Sequence, residues 1–240
     1  MNTEERLEGL KKYLGPFYVA QGGHDLPHVL RMERMFPEIA EFISGVDRVE
    51  YELAVWLHNV DRCEGLREEI KAKTLPVVLL ELIGDSLSQE ATSRIIQAIL
   101  EHGKFKDGPN DSPVLQALRL ADKWDRIGVL GGISGFQWLG CKMPAYEPGH
   151  PFGYGSTAEA ELGKKGYETL YQNFYRIIEW YPIFPLIREL VERHPWRFKH
   201  LLFFIRAFAR EVSEAHGVQN TVENDIEKCL GPYYYMWAPK

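Results

Sequence analysis

Cysteine is scarce in this chain: three residues of 240, at positions 63, 141 and 229. The number is odd and the spacing wide, which excludes a disulfide framework and a zinc-binding cysteine pattern. Long apolar runs are missing too. No stretch reaches the ~18 apolar residues of a membrane-spanning helix, and the greasy run Leu201-Leu202-Phe203-Phe204-Ile205 stops at Arg206. The opening segment MNTEERLEGLKKYL is charged and amphipathic and lacks the apolar region of a signal peptide. There is no basic excess either. Lys and Arg total 28 against 34 Asp and Glu, a net charge of −6 and a pI of about 5.8. That argues against a nucleic-acid polymer as partner, though not against a local basic pocket for a phosphate. Internal repeats, low-complexity tracts and hairpin signals are absent. A cytoplasmic protein with no membrane partner is the expectation, and 45% hydrophobic residues suffice for a sizeable core.

What is present reads as helix nearly throughout. Asp25 is placed to cap a helix in which Pro27 takes an early position. Pro37 restarts or kinks it through Ile39, Phe42 and Ile43. Glu50 to Val60 forms a second helix, and its Leu53-Ala54-Val55-Trp56-Leu57 run is apolar almost all round, as in a helix sunk in a core. Leu66 to Ile83 is helical with an interruption at Pro76. Ser88 caps a helix through Ile95, Ile96, Ile99 and His102, closed by Gly103. Ser112-Pro113 starts another, which leads through Leu115, Leu118 and Ala121 to Asp122. From Gly128 to Ser156 the character changes. Glycines at 131, 132, 135, 140, 149, 153 and 155 and prolines at 144, 148 and 151 predict a long loop. Thr157 begins a helix through Tyr167, Leu170, Phe174 and Ile177. Further helices follow over Ile183–Arg193, Trp196–His216 and Thr221–Leu230. The expected fold class is all-α, a single domain over 1–240 with its core up to about residue 130 and a C-terminal helical extension from about 157. The tail GPYYYMWAPK is expected to dock on the C-terminal helices. Left exposed, it would suit the interface of a homodimer.

Three segments carry the chemistry. His58 closes the apolar run AVWLH and is followed by Asn59. Imidazole nitrogen beside an oxygen donor suits a first-row divalent ion, whereas a lone buried histidine more often only bonds a neighbouring helix. His24 and His28 stand at i and i+4 and share a face if the helix begins early enough. Asp122 follows a long apolar stripe, where a carboxylate needs a cation. That cation is either a metal ion or an arginine such as Arg31, Arg62 or Arg126.

In this order and spacing, GGHDLPHVLRM, AVWLHNVDR, EHGKF and LRLADKWDRIG resemble the HD-domain superfamily of metal-dependent phosphohydrolases. The likeness spans about residues 20 to 135. It implies an HD-like helical bundle and one divalent metal ion, Mn, Fe, Mg or Zn, on His28, His58, Asn59 and Asp122. It further implies catalytic or phosphate-binding roles for Arg62, His102 and Lys123, and a nucleotide or other small phosphorylated molecule as substrate. His24 and Asp25 match the family's opening as supporting residues. Asn59 departs from the pattern, since the family has aspartate there. An amide offers a carbonyl oxygen without charge, so ion affinity should fall. Asp61 substitutes only if the helix ends by Val60. Trp124 replaces a smaller apolar residue and Asp125 is kept.

Three readings remain open at this level. One is a metal-dependent phosphohydrolase. The second is a degenerate relative, with metal binding weakened or lost, that serves ligand binding or protein interaction. The third is a helical scaffold without metal. Aromatics Phe136, Trp138, Tyr146, Phe152 and Tyr154 of the glycine-rich stretch either stack on a base or anchor packing.

Overall fold

The structure, a computed structural model, describes residues 3–18, 24–104, 107–139, 143–146 and 169–239. Among them are thirteen α-helices and no strand. The chain divides into two compact units, Met1–Asp122 and Lys123–Lys240. No helix among the described residues is long and apolar enough to cross a membrane.

The first unit contains α1 (Thr3–Leu14), α2 (Leu26–Arg34), α3 (Phe36–Phe42), α4 (Arg48–Leu57), α5 (Glu64–Lys73), α6 (Leu75–Ile83), α7 (Gln89–Glu101) and α8 (Pro113–Arg126), whose last turn belongs to the second unit. Helix α4 is the axis of this unit and packs against α1, α2 and α7. Every residue from Glu50 to Leu57 is buried. Full burial of each aliphatic side chain contributes roughly 1.5–3 kcal/mol. The buried carboxylates are tolerated because Lys11 of α1 and Arg48 both bond Glu52 and Arg94 of α7 bonds Glu50. Asp47 caps α4 by accepting from the Glu50 N–H at 2.9 Å. The expected Glu50–Val60 helix therefore ends earlier, at Leu57, which leaves His58 and Asn59 at its exit. The stretch expected as one interrupted helix over Leu66–Ile83 is two, α5 and α6. They are separated at Thr74, whose φ of 77° no helix accommodates, with Pro76 in the first turn of α6.

The second unit contains α9 (Val129–Leu139), α10 (Leu170–Ile183), α11 (Pro185–Arg193), α12 (Pro195–His216) and α13 (Val222–Leu230). Here α10 is the axis, packed by α9, α11 and α13. Thr169 and Gln172 close a reciprocal capping box at its start.

The long-loop reading of Gly128–Ser156 is corrected over 129–139, which is helix α9. Its glycines are there for close approach. A Cβ on Gly131 would lie 2.0 Å from the Arg126 carbonyl oxygen, and one on Gly132 would lie 3.3 Å from the Phe174 ring of α10. Glycine therefore marks a packing face here, where composition alone suggested a turn. Residues 143–146 run alongside the start of α10, with Pro144 and Ala145 carbonyls accepting from Leu170 and Tyr171 N–H groups. Phe152, Tyr154, Cys141 and the expected helix start at Thr157 lie outside the described residues. Phe136 packs on Phe174, Phe204 and Phe208, and Tyr146 on Phe208 and His216, so these two aromatics serve as packing anchors. The tail docks within its unit. Trp237 is buried against Tyr181 and Phe198, and its carbonyl accepts from Arg206 at 3.0 Å.

Candidate metal centre

Local sequence fixes each donor before tertiary packing brings them together. Asp25 caps α2, its carboxylate accepting from the backbone N–H of His28 at 3.1 Å. That bond sets the first turn and turns the buried His28 ring inward. The helix begins at Leu26, so His24 precedes it and shares no helical face with His28, although their ring centroids lie 6.2 Å apart.

His58 is the C-terminal cap of α4. Helix ends leave carbonyls without partners, and two of them are answered here. The Trp56 carbonyl accepts from the Tyr18 hydroxyl. The Val55 carbonyl accepts from His58 Nδ1 at 2.7 Å. A neutral imidazole that donates through Nδ1 carries its lone pair on Nε2, so a backbone carbonyl sets the tautomer of a candidate ligand. His102 repeats the construction at the end of α7, with Nδ1 bonded to the Ile99 carbonyl at 2.7 Å. The His58 and His102 ring centroids are 5.3 Å apart, in an edge-on arrangement.

Asp122 arrives on α8, its side chain 13% exposed. One turn earlier on that helix, Arg119 is buried and binds Asp107 and Asp111 at 2.6 Å each, and it reaches the Glu101 carbonyl at 3.5 Å. It thus ties the connection after His102 to the helix bearing Asp122. Sequence reasoning passed over Arg119. The signal was an arginine inside the apolar stripe VLQALRLA, whose charge requires buried acceptors.

The donors converge. His28 Nε2 lies 3.3 Å from His58 Nε2 and 3.5 Å from Asp122 Oδ1. One donor atom from each of the three residues falls within 4.8 Å of the others. Donors about 2.0–2.2 Å from a common ion at tetrahedral or octahedral angles stand roughly 3–3.5 Å apart, so two of these spacings fit a shared divalent cation. Burial holds the His58 imidazole well below the usual histidine range, and the neighbouring His28 and His102 add to the effect. His58 is therefore neutral, as a metal ligand must be.

The remaining expected residues divide. Asn59 is buried, and its Nδ2 lies 2.6 Å from His58 Nε2, so the amide donates to the lone pair that faces the centre. Helix α4 ends before Val60, yet Asp61 is exposed in the turn Val60–Arg62 and does not join the donor group. Arg62 ends that turn half-buried. Lys123 is buried, with Nζ 5.4 Å from the Trp180 ring centre and 4.9 Å from that of Phe184, both in its own unit. The aromatic faces partner its ammonium.

No family model and no curated protein matches this chain. Solved structures do. A protein from Lactobacillus plantarum superposes with a TM-score of 0.67 at 20% identity, over 89% of this chain and 100% of its own. Bacillus subtilis YpgQ in complex with ADP superposes with a TM-score of 0.58 at 20% identity, over 88% of this chain and 97% of its own. YpgQ solved alone gives 0.58 at 18% identity. At such identities the likeness speaks for a shared fold and for nothing finer.

Proposed function

We propose that this protein is a metal-dependent phosphohydrolase of the HD-domain type, acting on a nucleotide or another small phosphate ester. The observation that carries the reading is the convergence of His28, His58 and Asp122, from three separate helical segments, with donor atoms within 4.8 Å of one another. The nucleotide side draws on YpgQ, a protein of similar fold whose structure holds ADP.

In this reading His28, His58 and Asp122 hold one divalent ion, Mn, Fe, Mg or Zn, with Asn59 beside them. When bound, such an ion lowers the pKa of a water molecule and polarises a phosphoryl oxygen. His102 presents Nε2 as a proton acceptor, because Nδ1 is engaged by the Ile99 carbonyl. Placed 5.3 Å from His58, ring centre to ring centre, it is suited to move a proton between the attacking water and the leaving oxygen. Arg62 supplies a guanidinium for the phosphate. Lys123 is already paired with the aromatic faces of Trp180 and Phe184 in its own unit, and the phosphate is left to Arg62 and His102.

The Asn59 contact with His58 favours a second reading, a degenerate relative kept for ligand binding or protein interaction. Elemental mass spectrometry of protein purified without chelator or nickel column separates the two. The hydrolase reading expects about one divalent ion per chain, loss of that ion in His58→Ala, and turnover of at least one substrate in a phosphate-ester panel supplemented with Mn, Fe, Mg or Zn. An ion-free protein that takes up none on soaking, and hydrolyses nothing in the panel, leaves the degenerate reading in its place.

A further inference from the structure

We propose that Asn59 makes ion binding at this centre conditional on an anionic co-ligand, so that the divalent ion and a phosphate bind cooperatively and neither binds tightly alone. The inference rests on the metal reading above and concerns how that site is regulated.

The argument begins with charge. Two neutral imidazoles and one carboxylate leave a divalent ion with one uncompensated positive charge, and the Asn59 amide adds none. His28, His58 and Asn59 are all nearly inaccessible to solvent, at 1%, 3% and 1% exposure. An uncompensated charge in such surroundings is costly. No second carboxylate joins the donor group among the described residues. The acidic side chains of α4 are already engaged, Glu50 by Arg94 and Glu52 by Lys11 and Arg48. The donor group itself supplies no further negative charge, and a bound anion would. Asp122 keeps 13% side-chain exposure and His102 is half-buried, so an anion can reach the centre on that side.

The amide sets the second condition. Asn59 Nδ2 donates to His58 Nε2 at 2.6 Å, using the lone pair that an ion needs. Turning the amide over would place Oδ1 against Nε2, two acceptors that repel unless a cation stands between them. An ion therefore has to displace a buried hydrogen bond, and an aspartate at 59 would offer none to displace.

Coupling of this kind is reciprocal and typically 5–150-fold. The test measures Mn2+ binding from the electron paramagnetic resonance of free Mn2+, with and without orthophosphate, for the wild type, Asn59→Asp and Asn59→Ala. Because free Mn2+ is read directly, complexation by phosphate in solution is accounted for. Orthophosphate should tighten Mn2+ binding to the wild type by about tenfold or more. Asn59→Asp should bind Mn2+ tightly without phosphate and show coupling below about threefold. Asn59→Ala, which lacks the amide but keeps the charge deficit, should retain the coupling. Equal wild-type affinity with and without phosphate overturns the inference and leaves the metal centre standing. Mn2+ bound under neither condition overturns the metal reading itself. Should Asn59→Asp fail to fold, the wild-type and Asn59→Ala titrations still decide.

Discussion

Helices α4 and α10 hold the same station in their units, each the buried axis against which the others pack, yet their polar groups behave oppositely. Along α10 the buried polar atoms close on one another. Tyr175 donates to Tyr171 at 2.6 Å and lies 3.3 Å from an Asp225 carboxylate oxygen, which also accepts from Thr221 at 3.1 Å. Burial pushes both tyrosine hydroxyls up, Tyr175 the further, and keeps them protonated as donors. At the exit of α4, two imidazole nitrogens and a carboxylate oxygen from three separate segments crowd together: His28 Nε2, His58 Nε2 and Asp122 Oδ1. Burial of polar groups is common to both regions. What distinguishes a candidate site is convergence of metal-ligating groups from segments far apart in the chain.

Three experiments test that contrast in falling order of effect. Arg119→Met removes the buried cation that ties Asp107 and Asp111 to α8. The carboxylates left behind keep 39% and 12% side-chain exposure, so the cost is that of hydrogen bonds to a charged group, about 1.5–3 kcal/mol, and the shift should appear in the denaturation midpoint, with metal retention weakened because Asp122 shares the helix. Unchanged stability would mean that this connection is not held by charge. Tyr175→Phe removes the donor to the Tyr171 hydroxyl and leaves Thr221 as donor to the Asp225 oxygen, at about 0.5–1.5 kcal/mol. The second unit should lose stability while bound metal stays constant; a variant that loses metal would break the contrast. The smallest effect concerns Glu52. Burial opposes ionisation, but hydrogen bonds from Lys11 and Arg48 prevail and hold the carboxyl below its usual range. Its contribution is complete above the unfolded value of about 4.5 and lost as pH falls through the lower folded value. Acid denaturation of Glu52→Gln should therefore show a shallower slope below pH ~4.5 than the wild type, and an identical slope would remove Glu52 from the account.

Much of the fold was legible. The caps Asp25 and Ser88 stand where the sequence placed them, because a cap is a local bond between a side chain and a backbone N–H three residues on. The all-round apolar run of α4 announced its burial. Residues 129–139 misled because the glycines that allow α9 to approach its neighbours are the same residue that allows a turn, and only the partner helix tells the two apart. Asn59 was legible as a departure from the aspartate expected there, but its donation to His58 was not. Whether an amide gives or accepts a proton at a given place depends on the groups across from it.

The sequence by itself determined the helical class, the caps, an amide rather than a carboxylate at position 59 and the residue types able to hold an ion, since each is read from the residue itself or from neighbours within a few positions along the chain. Tertiary structure decided which of those residues meet. His28, His58 and Asp122 are separated by tens of residues, and their donor atoms come together because α2, the exit of α4 and α8 are packed in one unit. The Val55 and Ile99 carbonyls then choose which ring nitrogens of His58 and His102 keep their lone pairs. The chemistry of the centre depends on those lone pairs, and they are set by three-dimensional hydrogen bonding rather than by residue identity.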